Sequence, residues 1–204
     1  MDGAAVVAQL GDLSITWVCL GVIALTVATL SMARRWQVVA THLGLRLSLG
    51  SALREYYLGT FINQVLPGGV TGDVARAFRV RKEADLQTAA VSVALERLLG
   101  QFAIFALLAV GLAATVFLPG SLERGHWLWV AILGLLALSL AGLVLSRQDG
   151  ALGRFATLAL ALQRRPELIA HAVLTCGCLV FSFYACARAT GTVLPVIATA
   201  TLIP

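Results

Sequence analysis

Twenty consecutive residues, Leu13 to Met32, carry no charge. A helix of about 20 apolar residues spans the ~30 Å hydrocarbon core of a bilayer, so this run alone constrains the chain strongly. Asp2 and Asp12 precede it with no basic residue, and Arg34 and Arg35 follow it. A cleaved signal peptide carries its basic residues ahead of its apolar core. The order here predicts an uncleaved first helix with its N-terminus outside. Trp36 is expected at the membrane interface, and 41–53 is expected to form an interfacial helix or loop. Further apolar segments run over 89–118, 127–145 and 168–187, and another begins at Leu194. Pro119-Gly120 and Thr190-Gly191 end two of them, and 155–162 reads as an amphipathic interfacial helix. The charged fraction is 12%, against about 25% in an average soluble domain. The sequence therefore predicts an all-α, polytopic integral membrane protein forming a single membrane domain over 1–204. It should contain about four transmembrane helices, a re-entrant helical hairpin and the start of a further helix. Polar segments are too short for a soluble catalytic domain.

The hairpin is expected at about 50–82. Its first apolar part is short for a crossing and contains Asn63-Gln64. Pro67, Gly68 and Gly69 then break the helix, because proline lacks an amide donor and glycine has weak helix preference. Thr71 or Asp73 can cap a new helix, which carries Arg76, Arg79, Arg81 and Lys82. Broken backbone at membrane depth needs protein or water to cover its freed polar groups. Basic residues flank the stretch on both sides, Arg46 and Arg54 before it and the Arg76–Lys82 cluster after it. A segment that enters and returns on one side keeps 13 of the 15 basic residues together, leaving Arg124 and Arg188 opposite. The positive-inside rule places the 13 in the cytoplasm.

Several residues here suit an anionic headgroup. Asn63 and Gln64 read either as a hydrogen-bonded pair joining helices or as polar lining. Gly68, Gly69 and Gly72 read either as a tight turn or as a helix start whose free amides can hold a phosphate. Asp73 and Arg76 share a helical face, as do Arg79 and Glu83. Arginine suits phosphate because its planar fork gives two parallel bonds. Glu96 and Arg97 interrupt an apolar segment. Ionisable residues there are expensive and need partners, and sequence neighbours do not face each other on a helix. Arg97 is expected to pair with an acid such as Asp73, and Glu96 with Arg76 or Arg79. A purely structural ion pair is the alternative for this set.

Other chemistries find little support. The basic residues lack interleaved aromatics for stacking bases, so no nucleic-acid partner is expected. Cys19, Cys176, Cys178 and Cys186 all lie in apolar runs and read as small buried hydrophobes. No metal-ligand spacing, nucleophile–base set or nucleotide-binding loop is present, and no cofactor is expected.

The pattern Gly59, Asn63-Gln64, Pro67-Gly68-Gly69, Gly72-Asp73, Arg76, then Glu96-Arg97 resembles the membrane domain of lysylphosphatidylglycerol synthases. The same domain also occurs alone in flippase-like membrane proteins. The resemblance is clearest over 35–118. It implies a multi-pass protein of the plasma or inner membrane that binds an anionic phospholipid or isoprenoid-phosphate lipid, or moves it between leaflets. The alternatives it leaves are the membrane part of an aminoacyl-phosphatidylglycerol synthase system and a non-transporting scaffold. It further implies membrane-lipid partners, a membrane-protein partner or homo-oligomer, and a domain that normally continues past Pro204, so that this chain is truncated. With the soluble catalytic domain of the synthases missing from the sequence, the chain is expected to be non-enzymatic.

Overall fold

A computed structural model describes residues 13–66, 71–81, 85–117, 132–134, 136–137, 139–141, 143–144, 147 and 150–192. The described elements are all helical: α1 (Ile15–His42), α2 (Leu49–Val65), α3 (Thr71–Val80), α4 (Leu86–Phe117), α5 (Ala151–Gln163) and α6 (Pro166–Ala189). Among the described residues three helices are long and apolar enough to cross a membrane: α1, α4 over Leu86–Gly111, and α6. The chain is an all-α membrane protein. Of the expected span over 127–145 only short helical pieces are described. The segment beginning at Leu194 and the turn Pro67-Gly68-Gly69 lie outside the described residues.

α1 and α6 form an antiparallel frame. The Ser14 amide donates to the Ala189 carbonyl at 3.1 Å at one end, and Arg34 faces Glu167 at 3.7 Å at the other. Small residues line the seam, with Gly21 against Ala185 and Ala24 and Ala28 buried above it. Lipid supplies no hydrophobic drive between helices, so close backbone approach through small side chains is what holds such a pair. Trp17 meets Tyr184 edge-on at 5.9 Å between centroids. Ser31 Oγ donates to the His171 carbonyl at 3.0 Å and lies 3.2 Å from its ring Nδ1.

α1 has 28 residues, about 42 Å at 1.5 Å each, and it runs unbroken past the arginine pair. Gly44, with φ of 81°, follows its last turn, in the left-handed conformation glycine adopts at helix ends. α2 then starts at a Ser48 cap whose Oγ accepts from the Ser51 amide at 3.1 Å. The interfacial segment expected over 41–53 is thus the end of one helix, a short turn and the start of the next.

α2 and α3 form an antiparallel hairpin. Glu55 lies against Arg79, and Asn63 against Gly72. Gly59 and Gly72 let the two backbones touch: a Cβ on Gly72 would collide with the Gly59 carbonyl. The hairpin packs on α1 and α4 through Trp36, Ala52, Tyr56, Ala77, Val80 and Val93. α5 packs inward through Ala159 and Leu162 against Val38, Leu95, Leu99 and Leu168. Its buried positions Ala156, Ala159 and Leu162 recur at helical spacing on the side facing the protein. At the start of α4 the Thr88 amide donates to Asp85 Oδ1 at 2.5 Å. That bond holds the exposed Asp85 carboxyl below the usual carboxylate range.

Candidate functional site

Helical geometry converts the charges of α3 and α4 into one connected chain. On α4, Ala89, Ser92, Val93, Leu95, Glu96 and Leu99 are buried. Glu96 therefore points into the protein, whereas Arg97, the next residue, is half exposed. The two neighbours take separate partners, as the helix requires. Arg97 Nε donates to Asp73 Oδ2 at 2.6 Å, and its Nη2 reaches the same oxygen. Arg76 Nη2 donates to Glu96 Oε2 at 3.3 Å and lies 3.5 Å from Asp73 Oδ1. The expected pairs Arg97–Asp73 and Arg76–Glu96 are both present.

The other oxygen of Glu96 belongs to a residue that sequence reading left at the interface. Arg35 Nη2 donates to Glu96 Oε1 at 2.5 Å, and Arg35 Nε donates to the same atom at 3.2 Å. Arg35 is 4% exposed and Glu96 2%. The result is the relay Arg35–Glu96–Arg76–Asp73–Arg97, contributed by α1, α3 and α4. Gly100 stands one turn after Glu96, and Arg35 lies across the space a Cβ there would fill. The glycine lets the guanidinium lie against the α4 backbone.

Trp36 is likewise not an interfacial residue. It is fully buried, and its Nε1 donates to Ser92 Oγ at 3.2 Å. Its ring lies 4.4 Å from the Arg76 guanidinium, and Tyr56 lies 4.5 Å away. Both are within cation–π range, where a desolvated pair is worth about 2 kcal/mol. Burying the basic end of α1 is possible because Glu96 neutralises Arg35 and two aromatic rings shield Arg76.

The remaining predicted residues separate. Asn63 Oδ1 accepts from the Gly72 amide at 2.8 Å, so this amide is occupied by a side chain rather than open to a ligand. Asn63 serves the helix–helix role. Gln64 is exposed. Gly68 and Gly69 lie outside the described residues, as does Glu83, the expected partner of Arg79. Arg79 Nε donates to Glu55 Oε2 at 2.5 Å. Glu55, Arg35 and Trp36 are the residues sequence reasoning missed. Glu55 had a signal, as a lone acid among apolar positions of a helix. No group of three or more His, Cys, Asp or Glu suited to a metal occurs among the described residues.

Among the described residues the relay joins three guanidiniums and two carboxylates at the junction of three helices. In addition, Arg76 Nε is buried with no hydrogen-bond partner among the described residues. A buried guanidinium with an unmet donor can receive an anion chemically.

No curated protein and no solved structure matches the chain. The family model described as the lysylphosphatidylglycerol synthase TM region matches residues 1–204. With three membrane-length helices and that match over its whole length, the chain belongs to the lysylphosphatidylglycerol synthase transmembrane region family.

Proposed function

We propose that this protein binds an anionic phospholipid or isoprenoid-phosphate lipid at the relay and moves it between leaflets without making or breaking covalent bonds. The observation that supports this is the unmet Nε donor of Arg76, a guanidinium buried among the relay's carboxylates. A buried guanidinium is costly in a membrane. A lipid phosphate can replace a carboxylate at Arg97 or Arg76 in turn, because both acids and phosphates fit the arginine fork. Exchange of this kind holds an anionic headgroup without trapping it. The proposed orientation follows the charge distribution, with the N-terminus outside, the Arg34 end of α1 cytoplasmic, and the plasma or inner membrane as the location.

The test is lipid scrambling in liposomes with a fluorescent phosphatidylglycerol analogue. Arg76→Ala and Arg97→Ala are compared with the exposed control Arg154→Ala, each checked for folding. Loss of at least about tenfold in rate for the two relay variants supports the proposal. Wild-type rates equal to protein-free liposomes, or relay variants as active as the control, reject it in favour of a structural ion network.

A further inference from the structure

A second feature lies on the far side of Arg35 from the hairpin. α4 and α6 diverge to leave a groove of about 590 Å³, within the 300–1,000 Å³ range of small-molecule sites. Its walls are apolar, with Phe102, Ala106 and Val110 from α4 and Ala172 and Val173 from α6. From Leu99 to Val110 it runs about 16 Å at 1.5 Å per residue, roughly half the ~30 Å hydrocarbon thickness and so the depth of one leaflet.

One end of the groove is polar. Arg35 and Gln163 line it. Arg35 commits Nε and Nη2 to Glu96, and Nη1 takes no part in that bond. Gln163 Nε2 is buried without a hydrogen-bond partner among the described residues. A buried amide donor left unmet costs about 1–3 kcal/mol, so an acceptor is needed at this end. Arg34, Arg164 and Arg165 stand at the same end of the frame, with Glu167 the acid among them. An apolar helix seated in the groove would cover its walls but bring no acceptor to Gln163. A lipid with an anionic head supplies both.

We propose that the groove between α4 and α6 binds one anionic phospholipid, with an acyl chain along its walls and the phosphate received by Arg35 and Gln163. This site is separate from the hairpin face of the relay and retains its lipid whether or not the protein moves lipid elsewhere. Its depth assigns the lipid to the leaflet on the arginine-rich side. Gln163 and Arg35 contribute hydrogen bonds, and Arg34, Arg164 and Arg165 at the same end the excess charge, so phosphatidylglycerol should be preferred to phosphatidylcholine, whose phosphate is offset by its own ammonium.

The experiment is native mass spectrometry of the full chain released from micelles containing equal phosphatidylglycerol and phosphatidylcholine. The wild type should retain one phosphatidylglycerol at least about tenfold over phosphatidylcholine. Gln163→Leu, which keeps the side-chain bulk, should reduce retention about five- to tenfold. Ala106→Trp, which fills the groove, should abolish it, while Ile23→Trp on the exposed face of α1 should not. Equal retention of the two lipids overturns the proposal, as does wild-type retention by both groove variants. A dimer that Ala106→Trp dissociates, with no change in bound lipid, also overturns it and makes the groove a protein interface. Should Ala106→Trp fail to fold, Gln163→Leu decides. Arg97→Ala should keep the retained lipid. Groove-dependent retention in a protein that scrambles nothing would reject the transport reading and leave this one standing.

Discussion

Glu96→Gln is the most informative single change in this molecule. The glutamine keeps the side-chain volume and one acceptor oxygen but removes the charge shared by Arg35 and Arg76. Removing one partner of a buried pair typically costs about 3–5 kcal/mol, because the other charge remains buried. The two arginines are affected unequally. Arg76 retains Asp73 at 3.5 Å and its two aromatic rings. Arg35 has no second carboxylate among the described residues. The loss is therefore dominated by Arg35, with an expected magnitude of about 3 kcal/mol, or more than a hundredfold in the folded-to-unfolded ratio. Adding Arg35→Gln removes the stranded charge, so the double variant should be more stable than Glu96→Gln alone. The coupling can be measured as a double-mutant cycle. Reversible unfolding in mixed micelles, followed by Trp36 fluorescence with Trp17, Trp127 and Trp129 replaced by Phe, reads the surroundings of Arg76 directly. A loss below about 1 kcal/mol for Glu96→Gln, or a double variant no more stable than the single, would refute the reasoning.

Two further outcomes are expected. Gly72→Ala should destabilise by about 1–3 kcal/mol, as overpacking does, since the new methyl meets the Gly59 carbonyl, a backbone atom that cannot rotate aside. Gly50→Ala, with nothing within 4 Å, should be neutral or stabilising by up to about 1 kcal/mol, and thermal unfolding of the pair in one detergent checks the contrast. In a cysteine-free background, Arg164→Cys should react with an impermeant thiol reagent only after the cytoplasmic face is opened, and Thr190→Cys from outside in intact cells. Equal labelling of the two removes the orientation.

Much of this arrangement was legible in the residues. The uncharged run after Leu13 and the apolar segments around α4 and α6 announce membrane helices by length alone. Glu96 and Arg97 were visible because charge inside an apolar segment demands a partner, and acids and arginines of matching number lie 20 to 24 residues earlier. Arg35 and Trp36 misled for the opposite reason. A basic pair followed by tryptophan at the end of an apolar run has the pattern of an interfacial anchor, and one-dimensional hydropathy does not distinguish an anchor from a buried charge whose partner lies 61 residues away. Two local signs did exist. No glycine or proline separates Ser31 from His42, so nothing stops α1 at the arginines. Gly100 sits one helical turn after Glu96, where a small residue opens room beside the carboxylate. The role of Asn63 was undecidable beforehand, because a carboxamide that joins helices and one that lines a cavity occupy the same kind of apolar run.

The separation between Arg35 and Glu96 also sets a schedule for biosynthesis. At about 5–20 residues per second, the 61 residues between them take about 3–12 s to emerge. Arg35 is therefore made several seconds before its counter-ion. During that interval the Arg35 stem can extend its guanidinium toward the headgroups, since long basic side chains reach from apolar surroundings to water. α4 supplies the carboxylate that Arg35 meets in the folded protein. The hairpin is translated between the two, so the Arg35–Glu96 contact closes a loop of the chain that contains it.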